Sequence, residues 1–208
     1  MKKGIKYGVL AIFLGIASLQ GLAQNVNPRT TTPLSKWDRR FPEIKVGDKI
    51  YQTGSNWMTG GIGPGYSTTL EESQINMAIA YHFRYKPIYF KVGYHFTDDQ
   101  YFLNQRLRNI SYQNDIVGAA GIRYEQRYVN LAFFIGPTFA FGRLERPENP
   151  NIGDGYYALG VMPEVQATFK MFYDVGIGAS LYGSFNNQHQ CIGLRLHVYF
   201  SGAYRGVY

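Results

Sequence analysis

The chain has 208 residues, of which 45% are hydrophobic and 16% aromatic, with 24 glycines and a formal net charge of +7. Lys2, Lys3 and Lys6 carry three of these charges, so the remainder holds +7 − 3 = +4, which is too mild a bias to favour nucleic-acid binding. Cys191 is the only cysteine in the sequence, which excludes an internal disulfide.

Residues 1–23 predict a secretory signal peptide. A basic start is followed by the apolar run Val9–Ala17 and by small residues at Gly21 and Ala23. The alternative is an N-terminal anchor, but the apolar run is short for a spanning helix. Cleavage would leave 208 − 23 = 185 residues, enough for one domain. No second long apolar run follows, so we expect no membrane-spanning helix in the mature chain.

Residues 24–55 form a polar segment that carries Pro28, Pro33 and Pro42. One interpretation is a flexible leader. The alternative is a short arm that docks on the folded domain or on a partner through Trp37 and Phe41.

From residue 56 onward, apolar and aromatic residues alternate with small, polar or charged ones, most clearly in Ile75–Phe96. Because side chains alternate faces along a strand, each such segment has one apolar face. We predict eight strands, at about 56–68, 72–85, 88–97, 113–124, 127–142, 156–169, 173–184 and 190–201. Pro64, Pro137 and Pro163 fall inside three of them, and since proline donates no ladder hydrogen bond, we expect a bulge or irregular pairing there.

The connections between these strands alternate in length. Those at 86–87, 125–126 and 170–172 are tight, whereas 97–113 and 143–155 are long. Aromatic residues gather near both kinds of connection, as expected at two membrane interfaces. The pattern is typical of an outer-membrane barrel with short periplasmic turns, periplasmic termini and longer outer loops. A soluble sandwich or lipocalin-like barrel is the alternative, but the apolar faces are bulky and the opposite faces, rich in Gly, Ala and Ser, suit a narrow lumen.

We therefore predict an all-β fold: an eight-stranded antiparallel up-and-down transmembrane β-barrel over residues 56–201, followed by a short tail at 202–208. Eight strands enclose an interior that side chains just fill, and buried charges there must be paired. We expect a polar plug centred on Glu164 and Asp174. By alternation, the other polar residues of this network are Arg84, Lys91, Arg123, Arg195 and His197. His82 and His95 also face inward, and Cys191 is expected to be an inert buried thiol. A gated pore or a proton path is the functional alternative for this network.

The sequence gives no pattern for a catalytic or metal site. No Ser–His–carboxylate spacing supports nucleophilic catalysis. The acidic residues of 98–99 and 151–154 fall short of a calcium loop, so solvated loop acids are the better interpretation. We predict no metal and no cofactor. Arginines in the long loops could instead bind lipopolysaccharide phosphates, with solvated loop charge as the equal alternative. These arginines are Arg106, Arg108, Arg143 and Arg146.

The signal peptide, the eight alternating strands and the aromatic-ended last strand (Leu194, Leu196, Val198, Phe200) resemble the small outer-membrane β-barrels related to outer membrane proteins A and X. The resemblance covers about residues 56–201 and is architectural. It implies that the terminal aromatic strand is read by the outer-membrane assembly machinery. The chain departs from the family by continuing to Tyr208, so either Phe200 serves with a tail or the last strand extends further. No peptidoglycan-binding domain follows, so that function is not implied.

The resulting functional expectation is a non-enzymatic outer-membrane barrel that contacts lipopolysaccharide or a protein partner through its loops or leader. Three alternatives remain open. The first is an accessory subunit of an envelope secretion or outer-membrane assembly complex. The second is a lipid A-modifying enzyme, since some eight-stranded outer-membrane barrels have that activity. The third is a narrow pore.

Overall fold

The computed structural model describes residues 43–98, 111–146 and 149–207. These ranges contain eleven strands: β1 (Glu43–Val46), β2 (Lys49–Gln52), β3 (Trp57–Ser67), β4 (Glu72–Tyr85), β5 (Ile88–Asp98), β6 (Tyr112–Glu125), β7 (Val129–Arg146), β8 (Asn149–Lys170), β9 (Val175–Asn186), β10 (Gln190–Ser201) and β11 (Tyr204–Val207). Within these ranges, no helix has the length and hydropathy needed to cross a membrane.

Strands β3 to β10 form a closed barrel in which each strand is antiparallel to the next. The barrel closes between β10 and β3, whose register runs from Cys191 opposite Ser67 to Ser201 opposite Trp57. Closure gives each of the eight strands a partner on both sides over its barrel-forming part, as described for these residues. The predicted fold class, an eight-stranded antiparallel transmembrane barrel, is confirmed.

The outer surface of the barrel is apolar and the inner surface is mostly polar. On β8, Tyr157 and Leu159 are 77% and 79% exposed, whereas the intervening Ala158 is buried. The same alternation recurs on each strand because successive side chains point to opposite faces. Isoleucine, leucine, valine, phenylalanine and tyrosine therefore cover the outside, which is the lipid-facing surface of a transmembrane barrel.

The two ends of the barrel differ in their connections. We call the end that carries the connections 86–87, 126–128 and 171–174 the turn end, and the opposite end the loop end. The predicted long loop at 143–155 is wrong, because β7 and β8 continue through it as a hairpin with Arg143 opposite Gly155. Pairing between β8 and β9 begins only at Gly160 opposite Asn186. In the described ranges, the part of β8 before Gly160 therefore has an unpaired edge on its β9 side.

A second, three-stranded sheet lies at the turn end, with strand order β1-β2-β11. The Gln52 N–H donates to the Ala203 carbonyl at 2.8 Å, which ties β2 to the segment after the barrel. Tyr51, Tyr173 and Ala203 are buried together under this sheet. The leader at 24–55 and the tail at 202–208 were predicted to contain no strands. Segments of four residues are too short for alternation to be recognised, and β11 pairs with a strand far away in the sequence.

Each of the three strand prolines interrupts one ladder and leaves the other intact. Pro64 pairs with Ile75 of β4, but the β3–β10 ladder skips from Gly65 to Ile62. The β6–β7 ladder skips Pro137, and the β8–β9 ladder skips Pro163, in the same way. The register is the same on both sides of each gap. The irregular pairing expected at these positions is thus a missing rung and not a bulge.

The glycine before Pro137 lies unusually close to the neighbouring strand. A Cβ atom on Gly136 would lie 2.3 Å from the Gly118 carbonyl oxygen and 2.4 Å from the Ala119 Cα. We expect Gly136→Ala to destabilise the barrel by about 2 kcal/mol, because overpacking forces the backbone to move. Urea unfolding in detergent would measure the change. Gly118→Ala is the matched control, because its Cβ would meet nothing within 4 Å. Equal midpoints for the two variants would contradict the prediction.

Candidate functional site

A cluster of charged and amide side chains fills the middle of the barrel; we call Lys91, Glu164, Gln166 and Arg195 the central cluster. The Lys91 Nζ and the Arg195 Nη2 both donate to the Glu164 Oε2, at 2.5 and 2.6 Å. Gln166 Nε2 donates to the other carboxylate oxygen at 2.6 Å. All four side chains are buried. The burial of each charge is costly, so the carboxylate and the two cations stabilise one another only as a set.

Three histidines line the same interior, as alternation predicted for them. His95 contacts both cations of the central cluster, at 3.2 and 2.7 Å. His82 stacks on the Trp57 ring with centroids 4.5 Å apart and the planes nearly parallel. His197 Nε2 lies 3.0 Å from the Thr168 hydroxyl. Each ring is thus held by a specific neighbour.

An apolar cluster also lies inside the barrel. Its largest side chains are Trp57, Phe134, Met162 and Tyr199, all buried. Phe134 faces inward because it shares its parity with Ala132 and Thr138 on β7. The lumen is therefore filled by apolar side chains as well as by the polar plug that the sequence predicted.

Arg123 closes the lumen toward the turn end. Its guanidinium lies 4.1 Å from the Trp57 ring centroid, a distance typical of a cation–π contact. Its N–H groups donate to the Ser55 carbonyl, the Tyr199 hydroxyl and the Asn130 side-chain oxygen, at 2.7, 2.7 and 2.5 Å. Arg123 therefore joins the barrel wall to the segment that leads into β3.

Glu125 is the acidic partner of Arg123 and was not predicted as a site residue. Its Oε1 lies 3.0 Å from Arg123 Nη2 and 2.7 Å from Lys170 Nζ, and its Oε2 accepts the Gly54 N–H at 2.7 Å. Lys170 Nζ also lies 3.9 Å from the centroid of the Tyr173 ring. In the adjoining turn, burial raises the pKa of the Tyr173 phenol above its ordinary value. The sequence offered no signal, because Glu125 and Lys170 lie at strand ends and were assigned to turns.

A third polar cluster closes the loop end. Ser67 Oγ lies 2.9 Å from His189 Nε2, and His189 Nδ1 lies 2.7 Å from Gln113 Oε1. Because an amide oxygen only accepts, Nδ1 carries the proton and Nε2 accepts from the serine. Gln113 in turn donates to Asp115 at 2.8 Å. Ser67 and His189 lie 122 positions apart, so their contact was not foreseeable from sequence spacing.

This serine–histidine–glutamine arrangement has the connectivity of a nucleophilic site but not its accessibility. Ser67, His189 and Gln113 are all buried, with exposed fractions of 0 to 1%. The Ser67 Oγ also accepts the Leu70 N–H at 3.0 Å. An acyl substrate must reach the nucleophile within hydrogen-bond geometry, and here protein atoms surround the hydroxyl. The arrangement fits a polar network that seals the loop end.

The loop-end cluster should respond to acid through His189, which lies between β9 and β10. Burial lowers the pKa of His189 to about 4. A group with a lowered folded-state pKa contributes its full stability above the unfolded value of about 6.5 and loses it as the pH falls through the folded value. We expect the folded state to lose about 2 kcal/mol at pH 5 relative to pH 8 through this group. Urea midpoints of the wild type and His189→Gln should therefore converge as the pH falls. A constant difference would contradict the prediction.

Asp174 does not lie where alternation predicted. Asp174 lies in the turn before β9, outside the barrel lumen, where its carbonyl accepts the Ser201 N–H at 2.8 Å. Its expected role at the centre of the polar plug is therefore wrong, because strand alternation does not apply in a turn. Arg84 lies next to the turn end of β4, where its backbone N–H donates to Asn56 Oδ1. Cys191 is buried and free, at the loop end of β10.

The remaining predicted site residues are those proposed to contact lipopolysaccharide or a partner. Arg143 is exposed at the loop end, and Arg146 ends β7 opposite Asn149. Arg106 and Arg108, together with Trp37 and Phe41, lie outside the described residues. Among the described residues, no group of three or more His, Cys, Asp or Glu side chains is arranged to hold a metal ion.

Comparison with known proteins finds the same architecture in distant structures. No family model matches the chain, and no curated protein matches it. The crystal structure of Neisserial surface protein A matches with a TM-score of 0.56 and 10% identity over 70% of this chain and 96% of that one. The attachment invasion locus protein Ail of Yersinia pestis matches with a TM-score of 0.50 and 11% identity over 73% of this chain and 97% of that one. At this identity the likeness shows the fold, which is the small eight-stranded outer-membrane barrel that the resemblance predicted.

Proposed function

We propose that this protein is a non-enzymatic integral outer-membrane barrel with a closed lumen, whose loop end contacts lipopolysaccharide. The main support is the combination of an apolar outer surface with an interior that is filled by apolar side chains and by charged side chains in contact with one another. A surface of this kind is stable only in lipid, and a filled interior leaves the ends of the barrel as the sites of function.

The closed lumen is supported by the three clusters along the barrel axis. The loop-end cluster, the central cluster and the Arg123–Glu125 pair occupy the interior at successive levels. Each charged member is held by at least one partner of opposite charge or by an amide. A conducting pore would require these contacts to open, and opening would leave charges buried without partners.

The proposed orientation of the barrel in the outer membrane follows from the difference between its two ends. Short turns and the three-stranded sheet with both described chain ends occupy the turn end, which we assign to the periplasm. The loop end then faces outward. There the β7–β8 hairpin extends beyond its neighbours and carries exposed Arg143, Tyr157 and Leu159. Aromatic rings suit the headgroup level, and guanidinium groups bind phosphates bidentately.

Lipopolysaccharide binding can be tested by charge neutralisation at each end. The loop-end variant replaces four arginines by glutamine, namely Arg106, Arg108, Arg143 and Arg146. The matched turn-end variant makes the same charge change at four exposed residues, namely Lys49, Lys86, Arg127 and Arg205. We expect lipopolysaccharide co-purifying in mild detergent to fall in the loop-end variant alone. Equal retention in both variants, or an equal loss, would refute the proposal.

A second candidate, an accessory subunit of an envelope complex, is supported by the sheet at the turn end. Strands β1 and β11 are its two outer strands, and neither has a further partner strand in the described ranges. Such edges can accept a strand from another protein. Deleting residues 24–42 spares every strand of this sheet, whereas deleting 24–50 removes β1 and the first two residues of β2. A protein that co-purifies with the first variant and is lost from the second would favour this candidate.

A further inference from the structure

A small cavity lies beside the central cluster, about midway along the barrel. Its volume is about 10 Å³, which is space for one small occupant about the size of a water molecule. Six of the residues around it are Lys91, His95, Glu164, Ser180, Arg195 and His197, and one threonine, one glycine and two alanine residues complete its wall. The cavity exists because small residues such as Ala78 and Ala80 face the lumen at the level of these long polar side chains.

The charges that line this cavity do not balance. Lys91 and Arg195 contribute two positive charges, and Glu164 contributes the only negative charge among the lining residues. Both cations share the single oxygen Oε2 of that carboxylate. One positive charge therefore remains in excess in a buried space. Burial of an uncompensated charge is strongly unfavourable, so a counter-charge in the cavity would stabilise the folded protein.

One of the histidines around the cavity has a ring nitrogen without a hydrogen-bond partner. His197 is 6% exposed, and its Nδ1 has no hydrogen-bond partner among the described residues. Its Nε2 is already engaged with Thr168 Oγ1 at 3.0 Å. If the threonine hydroxyl donates to Nε2, then Nδ1 carries the proton and can donate to an occupant of the cavity. The contact from Arg195 Nε to Ser180 Oγ is long, at 3.4 Å, so this N–H is also weakly satisfied.

We propose that this cavity binds a small monovalent inorganic anion of the size of chloride, between Lys91, Arg195 and His197. The excess positive charge selects the sign of the ion, and the volume of the cavity excludes polyatomic organic anions. Such an ion is an internal counter-ion of the barrel and goes beyond the proposed role at the loop end. It also explains how a carboxylate shared by two cations can be retained in the middle of a closed lumen.

The first test compares apparent melting temperatures of the full-length protein in detergent. Sodium chloride and sodium gluconate are used at equal ionic strength, so that screening is the same in both. At chloride tenfold above its dissociation constant, we expect the melting temperature to rise by roughly 3–6 °C over gluconate, from linkage and the size of the protein. Identical melting temperatures in the two salts would overturn the proposal.

Variants locate the effect. Lys91→Met removes the excess charge while Glu164 keeps Arg195, so the dependence on chloride should disappear. Arg127→Met makes the same charge change at an exposed position of the turn end, and the dependence should persist. A chloride effect that survives Lys91→Met would place the ion elsewhere and overturn the proposal.

A direct measurement does not depend on variants. Crystals of the wild-type protein grown in sodium bromide should show an anomalous peak within hydrogen-bond distance of Lys91 Nζ or His197 Nδ1. A cavity that is empty or holds only water in such crystals would also overturn the assignment.

Discussion

Replacing Glu164 by glutamine is expected to destabilise the folded barrel by about 3–5 kcal/mol, because a buried ion pair that loses one partner leaves the other charges uncompensated. Here two cations depend on one carboxylate oxygen, at 2.5 and 2.6 Å. The substituted amide offers one acceptor oxygen and no charge. Urea unfolding in detergent micelles, followed by tryptophan fluorescence, would measure the loss.

Two comparisons make the Glu164 result specific. Glu72→Gln removes a carboxylate from an exposed position at the start of β4 and should stay within about 0.5 kcal/mol of the wild type. The double variant Glu164→Gln/Lys91→Met removes one of the two orphaned cations and should recover part of the loss. A Glu164→Gln protein as stable as Glu72→Gln would show that the central cluster does not hold the barrel together.

The second large effect is expected for Arg123→Met, at about 2–3 kcal/mol, the size of a few charged hydrogen bonds. The side chain bridges Ser55, Tyr199 and Glu125, so its loss weakens the barrel wall and the approach to β3 together. Glu125 keeps Lys170 as a partner, which limits the cost relative to the loss of Glu164.

Arg123→Met also has a local readout. Arg123 binds the Ser55 carbonyl, and its partner Glu125 binds the Gly54 N–H, so the loss of Arg123 should loosen the three-stranded sheet of the turn end. We expect faster tryptic cleavage after Lys49 of β2, with an intact barrel core. The Arg127→Met variant, changed at an exposed position in the turn between β6 and β7, should be cleaved at the wild-type rate. Cleavage that is equally slow in both variants would argue against a link between Arg123 and the sheet.

The regular alternation of apolar and polar side chains along the strands made the barrel predictable. Alternation with a period of two places side chains on opposite faces whatever the partner strand is, so Lys91, Glu164 and Arg195 could be assigned to the interior from sequence alone. The same rule failed at Asp174, which precedes β9 and therefore has no face. Alternation also ended β7 and β8 too early, because glycine, proline and charged residues interrupt the apolar–polar pattern in their hairpin.

Which interior residues meet was decided by tertiary structure. Ser67 and His189 come together only because the last barrel strand, β10, pairs with the first, β3. In that pairing Cys191 lies opposite Ser67. The sheet at the turn end likewise pairs β2 with β11 from opposite ends of the described chain. The amino-acid sequence by itself determined that a barrel forms and which faces are apolar, because those properties are local. The contacts of its buried charges depend on register and closure, which are relations between distant strands that no local pattern contains.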